Sequence, residues 1–297
     1  MRGVLVLSCS ALALFLGGST WLAFYPPVPT DLAGVENLDA RTRHVRIPLA
    51  SGDALDGWYL APRNGAQVVI FHGYGRDHTR AWRYGGFLRR AGYGLLAFDF
   101  RSSRRNGRLP TTLGHYELSD ARAALDWLRA RPGLRSAPVA LLGESLGGSI
   151  ALLAAAERPE VRAVVVDCAF ATGGEALEDA CERWAHIPRW PSAWLCRVVG
   201  RAFTGHDPGG LDAVVAAASL RERPVFFIHS LKDDRLSAFH PHELWRAAGA
   251  KDPLWIIPDA GHNQGWARHR ELYEARVLAF LDHHLLGKGE GLPAGEL

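Results

Sequence analysis

Cysteine is scarce in this chain. Four cysteines in 297 residues exclude a disulfide-built scaffold. An excess of one charge is missing too: the formal net charge is +3, and the basic side chains are scattered between acidic ones. That pattern leaves no footprint for nucleic acid, and no nucleic-acid partner is expected. Lysine is rare beside arginine, a usage bias from which no function follows. The glycine pairs Gly85-Gly86 and Gly147-Gly148 lie in no dinucleotide fingerprint and read as packing and turn residues, so no cofactor is expected. His240 with His242, and His283 with His284, have spacings that can suit a metal, but no carboxylate or cysteine constellation accompanies them. They read as surface histidines, and no metal site is expected.

The longest absence is of charge. From Val4 to Tyr25 there is no charged residue, and a helix of that length, rising 1.5 Å per residue, reaches about 30 Å, the thickness of a bilayer's hydrocarbon core. Arg2 and the α-amino group precede the run and the next basic side chain is Arg41, which orients the N-terminus to the cytoplasm and the remainder outside. Residues 1–25 therefore read as a membrane anchor, with Trp21, Phe24 and Tyr25 near the outer interface. A cleaved signal peptide is the alternative, with Gly17-Gly18-Ser19-Thr20 as the small residues and no A-x-A pattern; the catalytic domain would then be secreted. A buried first helix is a third reading. Residues 26–42, opening with Pro26-Pro27-Val28-Pro29, read as a stiff linker.

What is present is an alternation. A hairpin pattern, His44 to Leu49 and Leu55 to Ala61 around Ala50-Ser51-Gly52-Asp53, comes first. Short apolar runs follow at Val68–Phe71, Leu95–Phe98, Val139–Leu142, Ala163–Val166, Val225–Ile228 and Leu254–Ile257, as strands buried on both faces require. Between them lie helical patterns at Ala81–Arg90, Leu118–Ala130, Leu146–Ala156, Leu211–Ser219, Pro241–Ala248 and His269–Leu286. The fold class is α/β: a mostly parallel sheet flanked by helices, in one domain over residues 43–287, with a tail at 288–297. At about 170–208 the alternation breaks into a segment holding Trp184, Trp190 and Trp194, read as a small, partly helical cap whose tryptophans either meet substrate or form a core of their own. Cys181 and Cys196 fall in it and can pair if the domain is exported; two separate buried thiols are the other reading. Cys168 ends a strand and reads as core.

Sites in such sheets form at the carboxyl ends of the strands. Gly143-Glu144-Ser145-Leu146-Gly147 follows the run Val139–Leu142 directly and opens a helix, the setting of a nucleophile elbow. Acyl transfer through a serine needs a base, a group that orients the base, and donors for the oxyanion. His262, in Asp259-Ala260-Gly261-His262-Asn263 after the last long strand, is the base. Asp233 and Asp234 both follow the preceding strand; Asp233 is favoured as the acid, leaving Asp234 to solvent or to Arg235. The Leu146 N–H comes with the elbow, and His72-Gly73-Tyr74-Gly75 offers a second donor in the Tyr74 N–H. Asp99 reads as ordering its own loop, and Asp120 as a helix N-terminal charge.

With these motifs in this order, the chain resembles the α/β-hydrolase superfamily from about Arg43 to Leu286. More narrowly, the apolar N-terminus, the His72-Gly73 loop, Asp99-Phe100-Arg101 and the Glu117/Asp120 helix start resemble the membrane-anchored Bem46-like and serine-aminopeptidase-like hydrolases. The chain departs from that pattern in two places: Asp99-Phe100-Arg101-Ser102-Ser103 replaces a glycine-rich D-x-R-G-x-G-x-S loop, and Ser230 stands where relatives have glycine. The resemblance implies a serine hydrolase acting on a small-molecule acyl ester through Ser145, His262 and Asp233, with Tyr74 and Leu146 as the oxyanion hole. A lipid-like ester fits the membrane-proximal position. A peptidase, amidase or acyltransferase using the same residues, and a catalytically silent binding protein, are the alternatives.

Overall fold

The computed structural model describes residues 23–28, 39–103 and 109–296. The apolar segment read as an anchor or leader lies outside the described residues except for its last three, as does part of the loop after Asp99-Phe100-Arg101. Among the described residues no helix is long and apolar enough to cross a membrane.

Strands β1 (Arg43–Pro48) and β2 (Ala54–Leu60) form the expected hairpin. Next come β3 (Gln67–Phe71), a short helix α1 (His78–Ala81), a single 3-10 turn (Trp82–Tyr84), α2 (Gly85–Arg90), β4 (Gly94–Phe98), α3 (His115–Arg129), β5 (Val139–Glu144), α4 (Leu146–Glu157) and β6 (Val161–Asp167). After an excursion holding α5 (Gly173–Asp179), a π-turn (Ala180–Trp184) and α6 (Arg189–Thr204), the chain resumes with α7 (Ala213–Ser219), β7 (Val225–Ser230), α8 (Phe239–Ala247), β8 (Pro253–Ile257), α9 (Gly265–Arg268) and α10 (Arg270–Leu286). A two-residue strand β9 (Gly295–Glu296) closes the sheet.

The sheet order is β1-β2-β4-β3-β5-β6-β7-β8-β9, parallel from β4 onward, with β1 and β2 antiparallel at one edge. Every residue of β3, β4 and β5 is buried, because helices cover both faces. On one side Ala121, Ala124, Leu125 and Leu128 of α3 recur at helical spacing and pack with Ile150 and Ala154 of α4 against Val69, Leu141 and Val166. On the other, Tyr273, Val277, Phe280 and Leu281 of α10 join Phe87 and Leu88 of α2 against Ile70, Leu142 and Val165. Each such large side chain taken from water contributes about 1.5–3 kcal/mol. The sheet therefore presents its strand ends as a rigid edge.

Several expectations change here. The segment at 288–297 is not a plain tail, since Gly295 pairs with Pro253 and extends the sheet. His240 is not a surface residue: it is 1% exposed, its Nδ1 accepts from the Ala171 N–H at 3.2 Å, and its Nε2 faces Asp179 at 3.3 Å. Asp120 lies in the sixth position of α3, buried, where it receives the Arg101 backbone N–H at 2.8 Å and Nε at 2.7 Å, so it fixes a loop and does not serve the helix dipole. Glu117 takes the N-terminal role, accepting from Gly114 N–H at 3.0 Å. Asp99 does order its surroundings, holding the His78 N–H at 2.7 Å and the His78 ring at 2.9 Å. Cys168, Cys181 and Cys196 are free thiols, so the Cys181–Cys196 bridge is not formed.

The excursion after β6 is closed at its base by Gly173 N–H to Leu211 O and Ala213 N–H to Ala171 O, both 2.8 Å. Its far corner reaches the loop after β7, where Arg183 donates to the Asp233 carbonyl at 2.5 Å.

Candidate active site

Ser145 stands between β5 and α4 with φ 52° and ψ −121°, a conformation few side-chain-bearing residues adopt. The turn is held by its own glycines. A Cβ on Gly143 would lie 2.2 Å from Gly147 O, and one on Gly147 would lie 2.4 Å from Phe71 O. Both positions admit only hydrogen, which lets α4 start directly against β3 and β5. The Ser145 N–H donates to Asp167 O at 2.8 Å, tying the elbow to β6.

The structure brings three of the sequence-derived residues together. His262 Nε2 lies 3.0 Å from Ser145 Oγ, and His262 Nδ1 lies 2.6 Å from Asp233 Oδ2. The carboxylate can only accept, so Nδ1 carries the proton and Nε2 is free to accept from the serine hydroxyl. Asp233 Oδ1 takes the Arg235 and Leu236 N–H groups at 2.8 and 2.9 Å, which fixes the carboxylate plane. Burial acts to raise the Asp233 carboxyl, but the hydrogen bond and charge of His262, helped by His229 and the Leu236 amide, outweigh it and hold the group below its ordinary value. Asp234 points to solvent, and Arg235 lies over the Trp184 ring at 5.2 Å.

Both expected donors belong to segments that meet at the elbow. Leu146 is the first residue of α4, where backbone N–H groups have no intrahelical acceptor. Gly73, one residue before Tyr74, packs against the elbow so closely that a Cβ there would meet Ser145 Cβ at 3.4 Å. His72 shapes this loop: its Nε2 accepts from Phe100 N–H at 3.0 Å, so its Nδ1–H donates to Gly73 O at 2.9 Å. A small pocket opens beside the elbow, lined by Tyr74, Gly75, Phe100 and Leu146 and, from the other end of the chain, by Pro26 and Val28. The start of the linker thus packs on the loop that carries Tyr74. The Tyr74 hydroxyl donates to Ala23 O at 2.7 Å, and Phe24, 2% exposed, lies against Gly200 of α6.

Behind the elbow is a buried ionic network that motif reading did not find. Arg83 pairs with Glu144, the residue before Ser145, and donates to the carbonyl of Asn263, the residue after His262, at 3.0 Å. Tyr84 and Tyr273 donate to Asp167 Oδ2 at 3.1 and 3.0 Å. Burial pushes the Asp167 carboxyl up; Arg83 works against this and Glu144 with it. One signal was available: Glu144 and Asp167 are carboxylates at the ends of two strands that pair side by side, which demands a buried cation.

His229 is buried on β7 with neither ring nitrogen hydrogen-bonded among the described residues, and burial lowers it to about 4, so it stays neutral. Its donors, with Cys168 and Asp233, lie within 4.8 Å of one another. Both Asp233 oxygens are already engaged by Arg235, Leu236 and His262, and burial drives the Cys168 thiol well above its ordinary range; the trio is a poor match for a cation.

Comparison with known proteins adds the following. A family model described as the alpha/beta hydrolase fold matches residues 67–201. The chain is 25% identical to the uncharacterized protein YqkD of Bacillus subtilis, over 80% of this chain and 78% of that one. It is 26% identical to the uncharacterized protein Rv2307c of Mycobacterium tuberculosis, over 93% and 90%. Among solved structures, an esterase of Pyrococcus furiosus superposes with a TM-score of 0.72 at 23% identity, covering 88% of this chain and 98% of that one. The acylaminoacyl peptidase of Pyrococcus horikoshii gives 0.63 at 18% identity, covering 84% and 43%.

Proposed function

From the α/β-hydrolase fold of this chain, supported by the family model and by the structural neighbours, we propose that it is a serine hydrolase cleaving small-molecule carboxylic esters. The observation that carries this reading is the hydrogen-bonded sequence Ser145, His262, Asp233 at a strained elbow. Ser145 Oγ attacks the ester carbonyl while His262 Nε2 takes its proton. Asp233 holds the imidazole in the required tautomer and stabilises the imidazolium that forms. The oxyanion is received by the N–H groups of Leu146 and Tyr74, a contribution of about 3–4 kcal/mol per donor in related chemistry. His262 then returns the proton to the leaving alkoxide, and water, activated by the same imidazole, releases the acid.

The esterase neighbour favours an ester, and the peptidase neighbour supports a second reading in which an amide is cleaved by the same residues. Acyl transfer to an alcohol in place of water needs no further residue. The charge-free run before Ala23 anchors the chain in a membrane with the domain on the outer side, as its length and the Arg2/Arg41 bias support; Phe24, expected at the membrane interface, is instead buried against α6. A lipid-like ester suits that position. The test is labelling by a fluorophosphonate probe together with hydrolysis of a short p-nitrophenyl ester. Ser145→Ala abolishes both if the reading is right; hydrolysis that survives in a folded Ser145→Ala protein sinks it, and leaves a binding role for the fold.

A further inference from the structure

We propose that the corner of the excursion between the π-turn and α6 is a membrane-docking face, seated in the headgroup region of the bilayer that holds the N-terminal segment. Trp184, Ile187, Trp190 and Trp194 are 53%, 43%, 72% and 51% exposed. They do not form a core for the excursion. On α6, Trp194 and Val198 share a face at four-residue spacing, while Ala193 and Gly200 turn inward and are buried; Trp190 stands at a kink with extended backbone, and its ring lies 5.8 Å from that of Trp194. The charges around it are matched, since Arg189 pairs with Glu182 and Asp179, Arg197 with Asp207, and Arg183 donates to the Asp233 carbonyl, so the corner carries no excess of either sign to hold it in water. Clustered exposed tryptophans suit the interface, where the indole body is buried among acyl chains and its N–H meets headgroups.

The bilayer is chosen over a protein partner because of where the chain emerges. Ala23 and Phe24 directly follow a run of residues without charge, and both are fixed in place: Ala23 O by the Tyr74 hydroxyl, Phe24 O by the Thr111 N–H at 2.9 Å. The Phe24 ring sits where a Cβ on Gly200 would be 2.3 Å away, so the end of the apolar segment is clamped onto α6 itself. From Gly200 to Trp194 is six residues, or about 9 Å of helix. The apolar segment therefore leaves the domain beside the helix that carries the tryptophans. These two contacts also flank the site. Pro26 packs on Gly75 of the oxyanion loop and Trp184 lies under Arg235, two residues past Asp233. A substrate then reaches Ser145 from the bilayer side. That last consequence rests on the serine-hydrolase reading; the docking rests only on the charge-free run before Ala23 being in a membrane.

The experiment uses the full chain in phosphatidylcholine vesicles containing phosphatidylglycerol with brominated acyl chains, and reads quenching of tryptophan emission. We expect Trp190→Phe/Trp194→Phe, which keeps the face apolar and the fold intact, to lower the quenched emission by about half while sedimentation with vesicles is unchanged. Trp190→Ser/Trp194→Ser should in addition weaken hydrolysis of a vesicle-borne long-chain ester severalfold and leave a soluble short ester unaffected. Equal quenched emission in the wild type and the Phe variant overturns the proposal. So does failure of the full chain to sediment with vesicles, or self-association in detergent that the Ser variant abolishes, which would assign the face to a second copy. Quenching does not depend on Ser145, so a chain that docks but resists the fluorophosphonate probe would refute the hydrolase reading alone.

Discussion

Arg83 holds two parts of the site at once, because one end of its guanidinium pairs with Glu144 and the other with the carbonyl after His262. Arg83→Met would leave the buried Glu144 carboxylate only the longer, partly exposed contact with Arg80 at 3.7 Å, and breaking a buried pair in this way costs up to about 3–5 kcal/mol. Arg83→Lys keeps the charge but not the planar fork that reaches two acceptors. We expect both variants to unfold at lower denaturant concentration, Met more than Lys. Fluorophosphonate labelling should also be slow in the Lys variant under conditions where it is fully folded, which a purely structural role would not produce. Asp233 makes a pH-dependent contribution. Its folded carboxyl titrates below the ordinary value of about 3.9, so the stability it brings is complete above that value and is lost as the pH falls through the folded one. Denaturation midpoints of wild type and Asp233→Asn should therefore differ at neutral pH and converge in acid; a gap that persists at low pH would show that the asparagine acts through packing.

At the scale of elements, the elbow depends on backbone contacts that no side chain can share. In Gly147→Ala the new methyl would press on Phe71 O and His72 O, and β3 and the oxyanion loop cannot retreat without opening the sheet. The expected loss is about 3 kcal/mol, at the upper end of overpacking, measured as a shift of the denaturation midpoint at constant slope. Much of this element structure was legible in the sequence. Runs such as Val68–Phe71 and Leu254–Ile257 mark β3 and β8 to within one residue, because strands buried on both faces leave an uninterrupted apolar signature. Ser145, His262 and Asp233 were readable because each follows such a run. His240 was misread because its burial comes from the excursion, through Ala171 and Asp179, which its own helix does not announce. The paired carboxylates Glu144 and Asp167 call for a buried cation but do not say which: an arginine after a short helix is ordinary, and the two partners of Arg83 lie 61 and 180 positions away. Strand β9 is two residues long and carries no pattern to read.

For the whole molecule, the sheet edge, the excursion and the start of the described chain converge on one face. The sheet supplies Ser145, Asp233 and His262 from the ends of β5, β7 and β8, and the excursion closes over the acid loop through Arg183. Residues 23–28 complete the enclosure, with Phe24 wedged against α6 and Pro26 and Val28 in the pocket wall. Leader segments are usually regarded as exchangeable modules, to be swapped for another address without touching the enzyme behind them. Here the junction is not neutral. A graft that joined a foreign segment downstream of Val28 would remove Pro26 and Val28 from the pocket wall and Phe24 from its seat on α6, whereas one joined before Ala23 would keep all three. The segment that precedes the domain and the loop beside the elbow are therefore inherited together.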